Sequence, residues 1–256
     1  MKTLKRVIIG FVIGILFLIS GIAMGGFEHF TIFAMPSLQI AANRIDDIHF
    51  TNTNNVQTIK LELNNADVDF IESDDENIEI DAKQIYNKFR IYREDNCIIV
   101  KQPHYFINKA KASVSIYVPK NTLLKQIKVE VGAGTVRMNE LNAQNIKLET
   151  GAGSLKVDKI ETNQLSVKTG MGDTKIKQAL CDQLDIDLGM GDVKVGLQNK
   201  IEEYGYNVSV GLGNVDLGNN KFSGAAQERF RYQSKDKKID IDCGMGNVSI
   251  SEMEED

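Results

Sequence analysis

The chain has no tryptophan, only three prolines, three cysteines and three histidines in 256 residues. Each scarcity removes a class of function. Without tryptophan and with 7% aromatic residues, there is little to stack against sugar rings or bases. An odd number of cysteines, Cys97, Cys181 and Cys243, does not make a disulfide framework. Cys243 directly precedes a glycine, at a position held elsewhere by Val131, Thr150, Thr169, Leu188 and Val210. That places it as a small buried hydrophobe. His29, His49 and His104 form no His-Glu-x-x-His and no metal spacing with cysteine. Only His104 lies where a catalytic triad could use it, and nothing in the sequence pairs it with a nucleophile.

What the chain has in excess is one recurring tripeptide. Gly-x-Gly occurs at Gly132 and Gly134, Gly151 and Gly153, Gly170 and Gly172, Gly189 and Gly191, Gly211 and Gly213, and Gly244 and Gly246. The first four copies start 19 residues apart, followed by gaps of 22 and 33. These pairs hold 12 of the 21 glycines, so glycine use is architectural. Before each pair the chain alternates apolar and polar, as in Ile127 and Val129, Leu184 and Ile186, or Ile239 and Ile241. After it the alternation resumes, as in Leu155 and Val157 or Val193 and Val195. A period of two means strands with one buried face.

Equal spacing over several copies predicts an all-β fold. We read a single-stranded parallel β-helix, or β-solenoid, of about 19 residues per coil, in which each coil buries its apolar face on the next. The glycines would make corners where positive φ is needed and backbones approach closely. Ile59 to Phe70 repeats the phase without glycine, so Asn64 is expected to stand in through left-handed geometry. The solenoid domain is read as 51–251, irregular over 51–119 and regular over 120–251, with an acidic tail at 252–256. An insertion at 218–238 interrupts the last period and is read as a surface helix or hairpin.

Residues 7–27 carry no charge and follow Lys2, Lys5 and Arg6. That length suffices for a membrane helix, and the flanking charge predicts a cytoplasmic N-terminus of residues 1–6. The sequence-based expectation is an uncleaved signal anchor over 7–27, a linker over 28–50 and an extracytoplasmic domain. The membrane is the first expected partner. The net charge is −5, and the first six residues contribute three positive charges, so the remainder carries −8. That disfavours nucleic acid as a partner.

Candidate chemistry is sparse. Asp173 and Asp192 follow two glycine corners at the phase of Thr135, Ser154, Asn214 and Asn247. A row of turn hydrogen bonds is one reading; weak Ca²⁺ ligation is the other. Asp185 and Asp187 share one strand face and are the carboxylates a polysaccharide-cleaving enzyme would use. Phe222, Arg229, Phe230, Arg231 and Tyr232 give the insertion aromatic and basic groups suited to contact with an envelope protein or glycan. No cofactor is expected.

The anchor, the Val118–Pro119 strand end before the repeats and corners such as Thr169-Gly-Met-Gly-Asp-Thr-Lys-Ile176 together resemble the DUF4097-type adhesin-like family of β-strand repeat proteins, common in Firmicutes. The resemblance covers about 45–251. It implies a β-solenoid domain of the cell envelope with a binding, scaffolding or adhesin-like role, in some relatives near envelope-stress regulation. It carries no catalytic residue. The expected function is therefore non-catalytic, with a polysaccharide-active enzyme as the alternative.

Overall fold

The computed structural model describes residues 47–52, 55–86, 88–102, 111–120, 122–224, 228–232 and 235–253. Its elements are β1 (Ile48–Asn52), β2 (Thr58–Ser73), β3 (Ile78–Lys83), β4 (Arg90–Glu94), β5 (Cys97–Lys101), β6 (Ala112–Pro119), β7 (Leu124–Leu197), β8 (Tyr204–Leu217), β9 (Asn220–Gly224), β10 (Glu228–Tyr232) and β11 (Lys237–Glu252). One 3₁₀ turn, Ile201–Glu203, is the sole helical element among the described residues.

β7 contains four glycine corners and winds back on itself, so that Gly151 lies against Gly132, Gly170 against Gly151 and Gly189 against Gly170. β2 is the coil before it, in parallel register from Thr58 with Gln126 to Phe70 with Met138. Alternation buries Ile59, Leu61, Val68 and Phe70 together with Ile127, Val129, Val136 and Met138. The same inward rows continue through Leu165, Val167, Leu184, Ile186, Val193 and Val195. The core is thus a set of apolar ladders running across the coils.

Two features depart from a coil-after-coil solenoid. The first is order. β11, last in sequence, pairs in parallel with β7 on one side, Ile241 beside Ile186, and with β8 on the other, Ile241 beside Val208. The sixth glycine corner therefore sits between the fourth and the fifth. Equal phase made all coils interchangeable in sequence, and the 33-residue gap is what gives the chain slack to leave β8 and return beneath it.

The second is capping. β2 is covered by β5 on its first half and β6 on its second, both parallel. β4 joins β5 antiparallel, and β3 and then β1 extend from β6 antiparallel. At the far end β10 and β9 pair antiparallel with the two halves of β8. A stack of parallel coils ends in unpaired N–H and C=O groups, and these strands supply their partners. The insertion is thus a cap of two strands.

Some expectations need correction. β1 begins inside the segment read as a linker, and His49 Nδ1 lies 2.6 Å from Asp81 Oδ1. Asn64 does not adopt positive φ. Its corner is held instead by Gln102, whose Oε1 accepts from the Asn64 and Asn65 N–H groups at 3.0 and 3.1 Å. The transmembrane anchor over 7–27 falls outside the described residues, and no helix among those described is long and apolar enough to cross a membrane. The apolar side chains of the described residues turn into a shared core, leaving among them no span of about 20 lipid-facing helical residues. The described elements form a capped β-stack, with no membrane helix among them. The single-pass topology, the membrane localisation and the membrane as a partner are withdrawn with it.

Candidate functional site

The corners are built to a single plan. The second glycine of each pair has positive φ, from +126° at Gly191 to +154° at Gly153 and Gly213, and the first does not. Both are sterically confined. A Cβ on Gly153 would lie 1.8 Å from the Gly134 carbonyl oxygen, and one on Gly151 2.5 Å from that of Gly132. Only glycine fits, and its second position also needs the conformation that glycine adopts cheaply.

The row that follows the corners is a hydrogen-bonded ladder. Asp67 Oδ1 accepts from the Thr135 N–H at 2.8 Å. Asp173 Oδ1 accepts from the Asp192 N–H at 3.3 Å. Asn247 Nδ2 donates to Asp192 Oδ1 at 2.8 Å, and Asn214 Nδ2 to Asn247 Oδ1 at 3.0 Å. Asp173 and Asp192 are neighbours, but they serve the turn row. No cluster that could hold a metal ion occurs among the described residues.

Asp185 and Asp187 stand on the outer face of β7 beside Asp240 and Asp242 of β11. Lys168 Nζ pairs with Asp187 Oδ2 at 2.6 Å. Crowding within the ladder raises the Asp185 carboxyl above the ordinary aspartate range, first by desolvation and then by the charges of Asp240 and Asp187. The Ser166 hydroxyl donates to it at 3.4 Å and opposes the shift. The pair lies on a flat ladder with an ion-paired member. An open groove of about 440 Å³, lined by Glu72, Glu140, Asp158, Lys159 and Lys177, lies elsewhere. Four of its five charged residues form ion pairs, Lys159 with Glu140 and Lys177 with Asp158.

In the cap, Phe222 packs edge-on against Tyr206, ring centres 5.6 Å apart, so this aromatic is engaged with the core. Arg231 is exposed, and its Nε donates to Asn207 Oδ1 at 2.9 Å. Arg229 and Phe230 register with Ser209 and Val208, and Tyr232 with Tyr206. The structure therefore brings the insertion residues to one sheet edge.

Sequence reasoning missed the residue between the two glycines. In the third to sixth corners it is Met171, Met190, Leu212 and Met245, exposed by 57, 43, 53 and 47%. Met245 registers with Met190 on one side and Leu212 on the other. The four form one apolar ridge in the spatial order Met171, Met190, Met245, Leu212. The signal was present as Ala, Ala, Met, Met, Leu, Met at that phase, but it reads as a ridge only once β11 is placed.

The sequence model of the family described as Toastrack DUF4097 matches residues 56–251. Among solved structures, a candidate cell adhesion protein from Clostridium sporogenes is 14% identical, with a TM-score of 0.39, covering 81% of this chain and 100% of that one. A candidate adhesin from Bacteroides fragilis is 13% identical, with a TM-score of 0.40, covering 80% and 97%. One from Parabacteroides merdae is 12% identical, with a TM-score of 0.31, covering 82% and 97%. The search of curated proteins gives no match.

Proposed function

For a chain that belongs to the Toastrack DUF4097 family, we propose a non-catalytic role as a binding or scaffolding module, adhesin-like in presenting a fixed surface to a protein or glycan. The observation that carries this is the division of labour in the repeat. Inward positions fill the core, glycines make the corners and the polar corner row bonds to itself. The product is a rigid flank closed at both ends by antiparallel strands, a form suited to presentation.

The contact element is the β9–β10 cap with Phe222, Arg229, Phe230, Arg231 and Tyr232. β10 is the last strand of the sheet order, and it carries basic and aromatic residues on an otherwise acidic chain. Phe222 contributes as a support through Tyr206, and Arg231 as an exposed charge.

Cross-linking capture from living cells tests this, comparing the full chain with the Arg229→Glu/Arg231→Glu variant. The variant is expected to lose the captured partners while its urea midpoint holds. Identical partner lists reject the cap as the contact element. Release of reducing sugar from cell-wall polymers, lost in Asp185→Asn/Asp187→Asn, would overturn the non-catalytic reading itself.

A further inference from the structure

Met171, Met190, Met245 and Leu212 occupy successive corners of the stack, so the ridge runs across three strand spacings, about 14 Å. Four neighbouring apolar side chains about half exposed are more than scattered surface hydrophobes. Nothing structural requires them, because the equivalent residues of the first two coils are Ala133 and Ala152, at corners with the same glycine geometry. Methionine adds a flexible, polarisable surface that adapts to a partner's side chains.

The two rows beside the ridge say what that partner carries. On one side stand Asp173, Asp192, Asn247 and Asn214, all exposed. On the other stand Lys168, Asp187, Asp242 and Ser209, related by the same register. These rows hold four carboxylates and one ammonium, Lys168, which is itself paired with Asp187. One step further out stand Asp185 and Asp240 on the Lys168 side, and Lys175, Lys194 and Asp216 on the Asp173 side, so carboxylates still outnumber ammonium groups across these rows.

We propose that this ridge is a docking surface for a cationic amphipathic protein segment, whose apolar stripe covers the methionines and whose Lys or Arg side chains meet the flanking carboxylates. Apolar burial supplies the affinity, and the acidic rows select the sign of the partner's charge. A second copy of the chain fits poorly, since two ridges face to face would oppose carboxylates to carboxylates. An anionic bilayer fits poorly for the same reason. The inference rests on the binding reading above but on different side chains, those of the ridge; Arg229 and Arg231 of β10, in register with Ser209 and Asn207, continue the flanking rows beyond β8.

Methyl NMR of the methionines in the full chain tests it. The probes are three synthetic peptides of equal length: an amphipathic Leu/Lys helix, its Leu/Glu counterpart and a Lys/Ser control. The Leu/Lys peptide is expected to shift the Met171, Met190 and Met245 methyls and leave buried Met138 unmoved. Met171→Gln/Met190→Gln/Met245→Gln should weaken its binding at least tenfold, read by fluorescence of a labelled peptide. Asp173→Asn/Asp192→Asn should weaken it several-fold and flatten its salt dependence, while keeping the turn acceptors. Equal binding of the Leu/Glu peptide, or no shift with any peptide, would overturn the proposal. Methyl shifts that follow protein concentration without peptide would overturn it in favour of self-association. Capture lost in the Arg229→Glu/Arg231→Glu variant together with silent methyls would sink the ridge alone and leave the binding reading standing.

Discussion

Gly246 lies directly against Gly191: the two are register partners, and a Cβ on Gly246 would stand 1.9 Å from the Gly191 carbonyl oxygen. Gly213 meets Gly246 in the same way, at 1.8 Å. The last strand in sequence is the next-to-last coil in space, and it joins the methionines of β7 to Leu212 of β8 in one ridge.

Glycine corners should be intolerant throughout the stack. Gly189→Val would place its Cβ 2.4 Å from the Gly170 carbonyl oxygen, and Gly172→Ala adds a φ of +135° to a Cβ only 1.8 Å from the Gly153 carbonyl oxygen. Each is expected to cost more than about 1 kcal/mol. Urea unfolding of both variants measures it, and midpoints and slopes matching the parent would remove the steric account.

β11 should be indispensable. It buries Ile239, Ile241, Cys243, Val248 and Ile250, worth roughly 7 to 15 kcal/mol by transfer. That is comparable with the whole stability of an ordinary domain. A chain ending at residue 236 should lose cooperative unfolding, and a synthetic peptide of residues 237–252 should restore it. A cooperative transition in the truncated chain without peptide would show that β7 and β8 close without it.

Acid should act in opposite directions at two sites. The Asp185 carboxyl is raised in the fold, so its ionised form opposes folding at neutral pH and its protonation relieves this as pH falls. Asp185→Asn should therefore raise the urea midpoint at pH 7, with the gain vanishing below the ordinary aspartate pKa of 3.8. Glu62, bonded to Lys101 and Lys60, is lowered to about 2. Its stabilisation is present above 4.5 and is lost as pH falls toward 2. Glu62→Gln should lower the midpoint slightly at pH 7, since the ion pairs are partly exposed. An unchanged or lowered midpoint for Asp185→Asn would contradict the first half of this account.

The thiols should be protected. Burial pushes Cys181 up to about 12 and Cys243 up to about 11, and Cys97 is raised more modestly, also by burial. A maleimide added to the native chain at pH 8 should label Cys97 slowly and the other two not at all. Rapid native labelling of Cys243 would mean that β11 opens readily.

The sequence made the repeat legible because steric need and hydrophobic alternation recur at fixed phase. Gly151 must be glycine, and Ile146 and Leu148 must point inward. The worn coil from Ile59 to Phe70 was found by the same phase. Coil order was not legible, since Ile241 fits beside Ile186 or Val208 equally well. The corner at Asn64 was misread because its support, Gln102, lies 38 residues away. The acidic residues were legible as a row, but their partners, such as Lys168 for Asp187, lie a coil away. The ridge escaped notice because the apolar residues between the glycines recur at fixed phase but become one continuous surface only once β11 sets Met245 between Met190 and Leu212.

The most direct measurement is proximity across the last coils. Exposed positions 192, 247 and 214 can be changed to cysteine in pairs, with the native cysteines replaced by alanine. A bimane reagent that fluoresces on bridging two thiols one strand spacing apart then reports their adjacency. The account predicts bridging for 192 with 247 and for 247 with 214, and none for 192 with 214. Bridging of 192 with 214, without 192 to 247, would mean coils stacked in sequence order and would contradict it.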